Sequence, residues 1–124
     1  MPEYQQGVCN INRDESKKRY ISGGLGIFLA AVFTVVYEFS AQAWTFLPVF
    51  VFSVFGSIGI IQGRKNFCVA HAREGTQKTG EETKKIRDEE KLRADRKEAL
   101  KTVLQALITG SLITASVYVL TLIV

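Results

Sequence analysis

Cys68 and His71 stand three residues apart in the stretch RKNFCVAHAREG, and His71 is the only histidine in the 124-residue chain. Thiolate and imidazole are ligands that a borderline-soft ion such as zinc accepts, and side chains at i and i+3 share one face of a helix. Cys9 is the only other cysteine, and it lies in a leader long enough to reach them. Cys9, Cys68 and His71 would supply three ligands and leave a fourth position open. Zinc is therefore the one cofactor that the residue types suggest, although no C-x-x-C pair or second histidine strengthens the set. The competing reading has no chemistry in it: Cys68 packs with Phe67 at the end of an apolar helix, and His71 sits at the solvated end beyond. A cysteine at a membrane edge is also open to acylation or redox chemistry. Nucleophilic catalysis has less to build on, because no acidic residue lies near a helix-borne serine or cysteine to complete a triad with the single histidine. The chain reads as a non-enzyme.

The elements that would position these residues are set by three blocks without a charged residue, Tyr20 to Tyr37, Trp44 to Ile61 and Thr102 to Val124. As helices at 1.5 Å per residue they would extend about 27, 27 and 34 Å, against a hydrocarbon core of roughly 30 Å. The expected fold is an all-α integral membrane protein with three transmembrane helices. The divisions are a leader over 1–19, helices over 20–37 and 44–63 joined by an external loop at 38–43, a charged linker and helix over 64–101, and a third span over 102–124. Six residues between the first two helices make them a tight antiparallel hairpin. Pro48 falls early in the second helix, where its missing donor costs least.

The net charge of +4 could suggest nucleic acid, but its placement points elsewhere. Four of the sixteen Lys and Arg residues lie in 1–19, twelve lie in 62–101, and the 38–43 connection has none. By the positive-inside rule both stretches belong in the cytoplasm, giving a cell-membrane protein with its N-terminus cytoplasmic and its C-terminus external. Lys17, Lys18, Arg19, Arg64 and Lys65 then sit at the headgroups, and anionic membrane lipid is the nearest partner. No nucleic-acid partner is expected. Ala41 and Ala43 in SAQAW form a small-x-small pattern of the kind a signal peptidase cleaves, but the preceding apolar run is long for a signal core and the leader carries acids.

Small residues recur at helical spacing in each block. Ser22, Gly26, Ala30 and Thr34 form one stripe. Ser53 with Ser57, and Gly56, Gly59 and Gly63, form two more, and Ala106, Gly110 and Thr114 a fourth. In lipid, apolar bulk does not drive helices together, whereas close backbone approach does, so these stripes are expected packing seams. Tyr20, Tyr37, Trp44 and Tyr118 suit the two interfaces. Asn12 and Glu15 have capping-box spacing, so the first helix should begin near residue 13. The leader before it is polar and is expected to be weakly structured.

Residues 80–103 are rich in Glu, Lys, Arg and Ala, with acid-before-base pairs such as Glu81 with Lys85 and Glu89 with Arg93. They predict one helix from about residue 81 into the third span, its outer part a solvated or lipid-skimming stalk. Arg93 between Ile86 and Leu100 breaks any heptad seam. Ionisable groups are absent from mid-membrane positions, so a transport pathway is not indicated. The leading expectation is a non-catalytic interaction or assembly subunit, either a homo-oligomer or part of a larger membrane complex, with the basic helix as its contact element. An oligomeric pore or lysis-type protein is the first alternative, and a Cys/His metal or redox site the second.

Overall fold

The structure, a computed structural model, describes residues 4–40 and 43–123. Ala41 and Gln42 of the SAQAW stretch lie outside the described residues, as does Val124. Helix α1 spans Arg13–Ser40, a 3-10 turn Ala43–Thr45 leads into α2 at Phe46–Lys65, and α3 follows at Val69–Glu74. Strands β1 (Thr76–Gln77) and β2 (Lys84–Lys85) form a minimal antiparallel hairpin, and α4 runs Glu89–Ile123. Three of the helices, α1, α2 together with its 3-10 turn, and α4, are long and apolar enough to cross a membrane. Their contact pattern is that of a helical bundle.

The contacts that join these three helices run through α2. Along the α1/α2 seam, Gly23 meets Ile60, Gly26 meets Gly56, and Gly63 meets Ser16 and Tyr20. As the α1 numbers fall the α2 numbers rise, so the two helices are antiparallel. Phe33 stacks on Phe52 farther along, with ring centroids 5.6 Å apart. On its other side α2 meets α4, where Val54 fills the space that Gly110 leaves. At the far end Phe46 contacts Tyr37 of α1 at 4.6 Å and Tyr118 of α4 at 5.8 Å between centroids. One α2 ring therefore ties all three helices together.

The charged end departs from the sequence reading in three ways. First, α2 does not continue through Cys68 and His71. It stops at Lys65, and Asn66 adopts the left-handed conformation at φ 54°, which asparagine tolerates better than most residues. The Asn66 and Phe67 N–H groups both donate to the Gln62 carbonyl, satisfying a helix end that would otherwise be bare. Cys68 is then extended and caps the separate helix α3, so Cys68 and His71 do not share one continuous helical face.

Second, α4 begins at Glu89 rather than near residue 81. Its upstream residues pair instead with the chain after α3: Thr76 is in register with Lys85 and Gln77 with Lys84. Gly75, at φ 75°, ends α3, and its carbonyl receives the Ile86 N–H at 2.8 Å. The Asp88 carboxylate accepts the Glu90 N–H at 2.9 Å and so starts α4. Helix propensities of a few tenths of a kcal/mol per residue yield to these specific backbone partners.

Third, neither the leader nor the start of α4 stands free. Asn10 and Ile11 are fully buried, and Ile11 bridges to Lys78. Phe67, Ala72 and Ala99 form a small core with Val69 against it. The leader, α3, the hairpin and the first turns of α4 thus make a folded cap over one end of the helices.

Candidate functional site

The cap is built on three polar residues that composition alone would leave in water. Asn10 acts as a clamp. Its Oδ1 accepts the Cys68 N–H at 2.6 Å, and its Nδ2 donates to the Cys68 carbonyl at 3.0 Å. One side chain thereby supplies the partner of the Cys68 N–H and shares the Cys68 carbonyl with the Ala72 N–H of α3 at 3.1 Å. Asp95 of α4, fully buried, accepts the Tyr4 hydroxyl at 2.8 Å and the Gly7 N–H at 2.7 Å. Burial and the Asp95 carboxylate push the Tyr4 phenol up from its ordinary value, which keeps it a donor.

Glu15, in the first turn of α1, is the third. Its N–H is capped by Asn12 Oδ1 at 2.9 Å, and its carboxylate meets Lys18 at 3.2 Å, Arg19 at 2.9 Å and Lys78 at 3.0 Å. The Lys78 hydrogen bond, ahead of the opposing effect of burial, holds the carboxyl down at about 2. Lys65 closes the opposite side by donating to Glu98 at 3.0 Å and Gln105 at 2.9 Å on α4.

Within this frame the sequence-derived candidates separate. Cys9 and Cys68 are both buried free thiols. Cys9 donates to the Ile11 carbonyl at 3.5 Å, and burial raises its pKa above the ordinary value. Cys68 Sγ accepts from Arg19 Nη2 at 3.3 Å. His71 Nδ1 lies 2.7 Å from Thr76 Oγ1. Among the described residues no three His, Cys, Asp or Glu side chains stand together to hold a metal ion. Each of the three candidates is engaged with the cap's own backbone or side chains instead.

Of the headgroup candidates, Lys17 and Arg64 are exposed, while Lys18, Arg19 and Lys65 are in the ion pairs described. Of the small residues, Gly26, Ala30, Gly56, Gly59, Gly63, Ala106 and Gly110 are buried. Thr34 and Thr114 are half-buried and return their hydroxyls to the Ala30 and Gly110 carbonyls at 2.9 and 2.8 Å. Ser22 is exposed, and Gly23 occupies the seam beside it. The signal for Gly23 was available in the Gly23 to Gly26 spacing, since i,i+3 is as valid a helical neighbour as i,i+4. Asn10, Asp95 and Glu15 gave no comparable signal, because their partners lie far away in sequence.

Acid should loosen the cap in two stages. Burial, reinforced by Arg19 and Lys78 and opposed by Glu74 and Glu15, lowers the His71 pKa from its ordinary 6.5. A histidine held neutral in the fold contributes stability above pH 6.5 that is lost as pH falls through its lowered value. Glu15, depressed from 4.5 to about 2, contributes stability that disappears only across that lower window. Melting temperature followed from pH 7.5 down to about pH 2 should show both losses, and His71→Asn should remove the first while leaving the second. No family model, no curated protein and no solved structure matches the chain.

Proposed function

We propose that this chain is a non-catalytic, multi-pass integral membrane protein of the cell membrane that serves as an interaction or assembly subunit. Its cap lies in the cytoplasm and the end of α4 faces outside. One observation carries the reading: the two basic stretches meet at the same end of the three apolar helices. Tyr4 and Gly7 bond to Asp95, Lys78 to Glu15, and Lys65 to Glu98. Positive charge concentrated at one end of a bundle of apolar helices sets its orientation in a membrane. The contact element is the solvent-facing side of the first turns of α4, where Arg93, Lys97 and Lys101 are exposed. Asp95 and Ala99 fasten the opposite side of the same turns to the cap, so the cations are carried on a fixed helix.

A photo-crosslinking amino acid in place of Arg93, in membranes that contain the protein's natural neighbours, tests this reading. The expected product is a discrete protein adduct, either a second copy or another chain, that is lost when Lys97 and Lys101 are replaced by glutamate. Adducts to lipid alone, with the particle mass of a monomer, would contradict it. A ring of copies that conducts ions in planar bilayers would instead favour the pore.

A further inference from the structure

A groove of about 210 Å³ opens between α1 and α2 just below the cap, lined by Arg19, Ser22, Phe55, Ile58, Gly59 and Gln62. Its lining is divided by chemistry along its length. Arg19 is the last charged residue before the apolar stretch of α1, and Ser22 and Gln62 add a hydroxyl and an amide. Gln62 uses its carbonyl oxygen to accept the Val69 N–H at 2.8 Å, so its NH2 group is the part left to donate. Phe55 lies seven residues along α2 from Gln62, about 10 Å down the helix axis, and with Ile58 forms the apolar part. No acidic side chain lines the groove.

The charge beside the groove is also unbalanced. Glu15 is a single carboxylate shared by three cations, the half-buried Arg19 and Lys78 and the exposed Lys18. Lys17 is exposed on the same turn of α1. Donors above, aliphatic and aromatic surface below and a surplus of cations call for a ligand that is anionic and acceptor-rich at one end and hydrocarbon at the other.

We propose that this groove binds one anionic phospholipid of the adjoining leaflet, its phosphate on Arg19, Ser22 and Gln62 and the upper part of an acyl chain against Phe55 and Ile58. The proposal rests on the membrane reading above. It adds a discrete site to the diffuse attraction that any basic surface has for such a leaflet. Ser22 is the residue that makes it testable, because its side chain is exposed and a larger one there fills the groove without entering the α1/α2 seam.

The test uses the full chain purified in detergent, with dioleoylphosphatidylglycerol and dioleoylphosphatidylcholine as probes and retained lipid counted by native mass spectrometry. Wild type should keep one phosphatidylglycerol, bound at least ~10-fold more tightly than phosphatidylcholine, a gap within reach of one charge-assisted contact. Ser22→Trp and Ile58→Trp should each abolish that preference, and Lys84→Gln, exposed on β2 and outside the groove's lining, should keep it. Preference surviving in both tryptophan variants would overturn the site and leave only diffuse attraction. Inorganic phosphate displacing the lipid at equal concentration would overturn the lipid as occupant. A wild type that floats with liposomes but shows no preference refutes the site alone, whereas a chain that stays in the aqueous phase without detergent refutes the membrane reading itself.

Discussion

Gly59→Leu should yield no native folded protein in detergent, while Gly24→Leu, on the same pair of helices, should behave as wild type. A Cβ at Gly59 would stand 2.7 Å from the Gly23 Cα and 2.8 Å from the Arg19 carbonyl oxygen, with backbone on both counts. No rotamer of a neighbour relieves that contact, so the helices must separate. In lipid the loss is severe, because the attraction between α1 and α2 depends on backbone approach rather than on hydrophobic driving force. Overpacking alone costs about 1–3 kcal/mol, and here it also opens the matching contacts at Gly23, Gly26 and Gly56. At Gly24 an added Cβ meets nothing within 4 Å. Size-exclusion profile and thermal melting of the two variants check this. Equal behaviour of Gly59→Leu and wild type would mean that the α1/α2 seam does not exist.

Asn10→Ala should release the leader and expose Cys68 to thiol reagents. The side chain is the partner of the Cys68 N–H and shares the Cys68 carbonyl with the Ala72 N–H of α3. Leaving a buried polar group unsatisfied costs about 1–3 kcal/mol; the Cys68 N–H is orphaned, while the Cys68 carbonyl keeps the Ala72 N–H at 3.1 Å. Cys68 is 3% exposed in the native fold, so its labelling by a maleimide reports local opening directly. The rate should rise by ~10-fold or more, with the melting of the apolar helices changed far less. Asn10→Asp keeps the acceptor for the Cys68 N–H but sets a buried carboxylate oxygen against the Cys68 carbonyl, so it too should raise the labelling rate. Unchanged labelling in Asn10→Ala would show that the Asp95 and Lys78 contacts hold the leader over Cys68 without the clamp.

These two variants also mark what the sequence could and could not reveal. Three uncharged blocks of helical length are a local property, and they coincide with the three helices long enough to cross a membrane. The start of α1 was equally local: Asn12 and Glu15 announce a cap three residues apart. The cap as a whole was hidden because its organising contacts are distant and polar. Tyr4 finds Asp95 and Asn10 finds Cys68 across most or half of the chain, and no periodicity encodes such pairs. The early start expected for α4 fails for a related reason. Residues 81–88 favour a helix on their own, but the chain after α3 offers Lys84 and Lys85 a β partner. Cys68 and His71 attracted attention by type and spacing, and that spacing lost its meaning once Asn66 ended α2 between Gln62 and Cys68. Ser22 and Gly23 show the limit of stripe counting: both are small, and only packing decides which one faces α2.

Two single cysteines, Glu90→Cys at the start of α4 and Ile123→Cys at its end, made in separate chains and probed in sealed, right-side-out vesicles, test the central claim most directly. The native thiols are buried and should stay silent, whereas positions 90 and 123 are exposed. An impermeant maleimide should label Ile123→Cys from outside at once and Glu90→Cys only after the vesicles are opened, putting the cap and the far end of α4 on opposite faces of the bilayer. Labelling of both from the same side would contradict a three-span protein with a cytoplasmic cap.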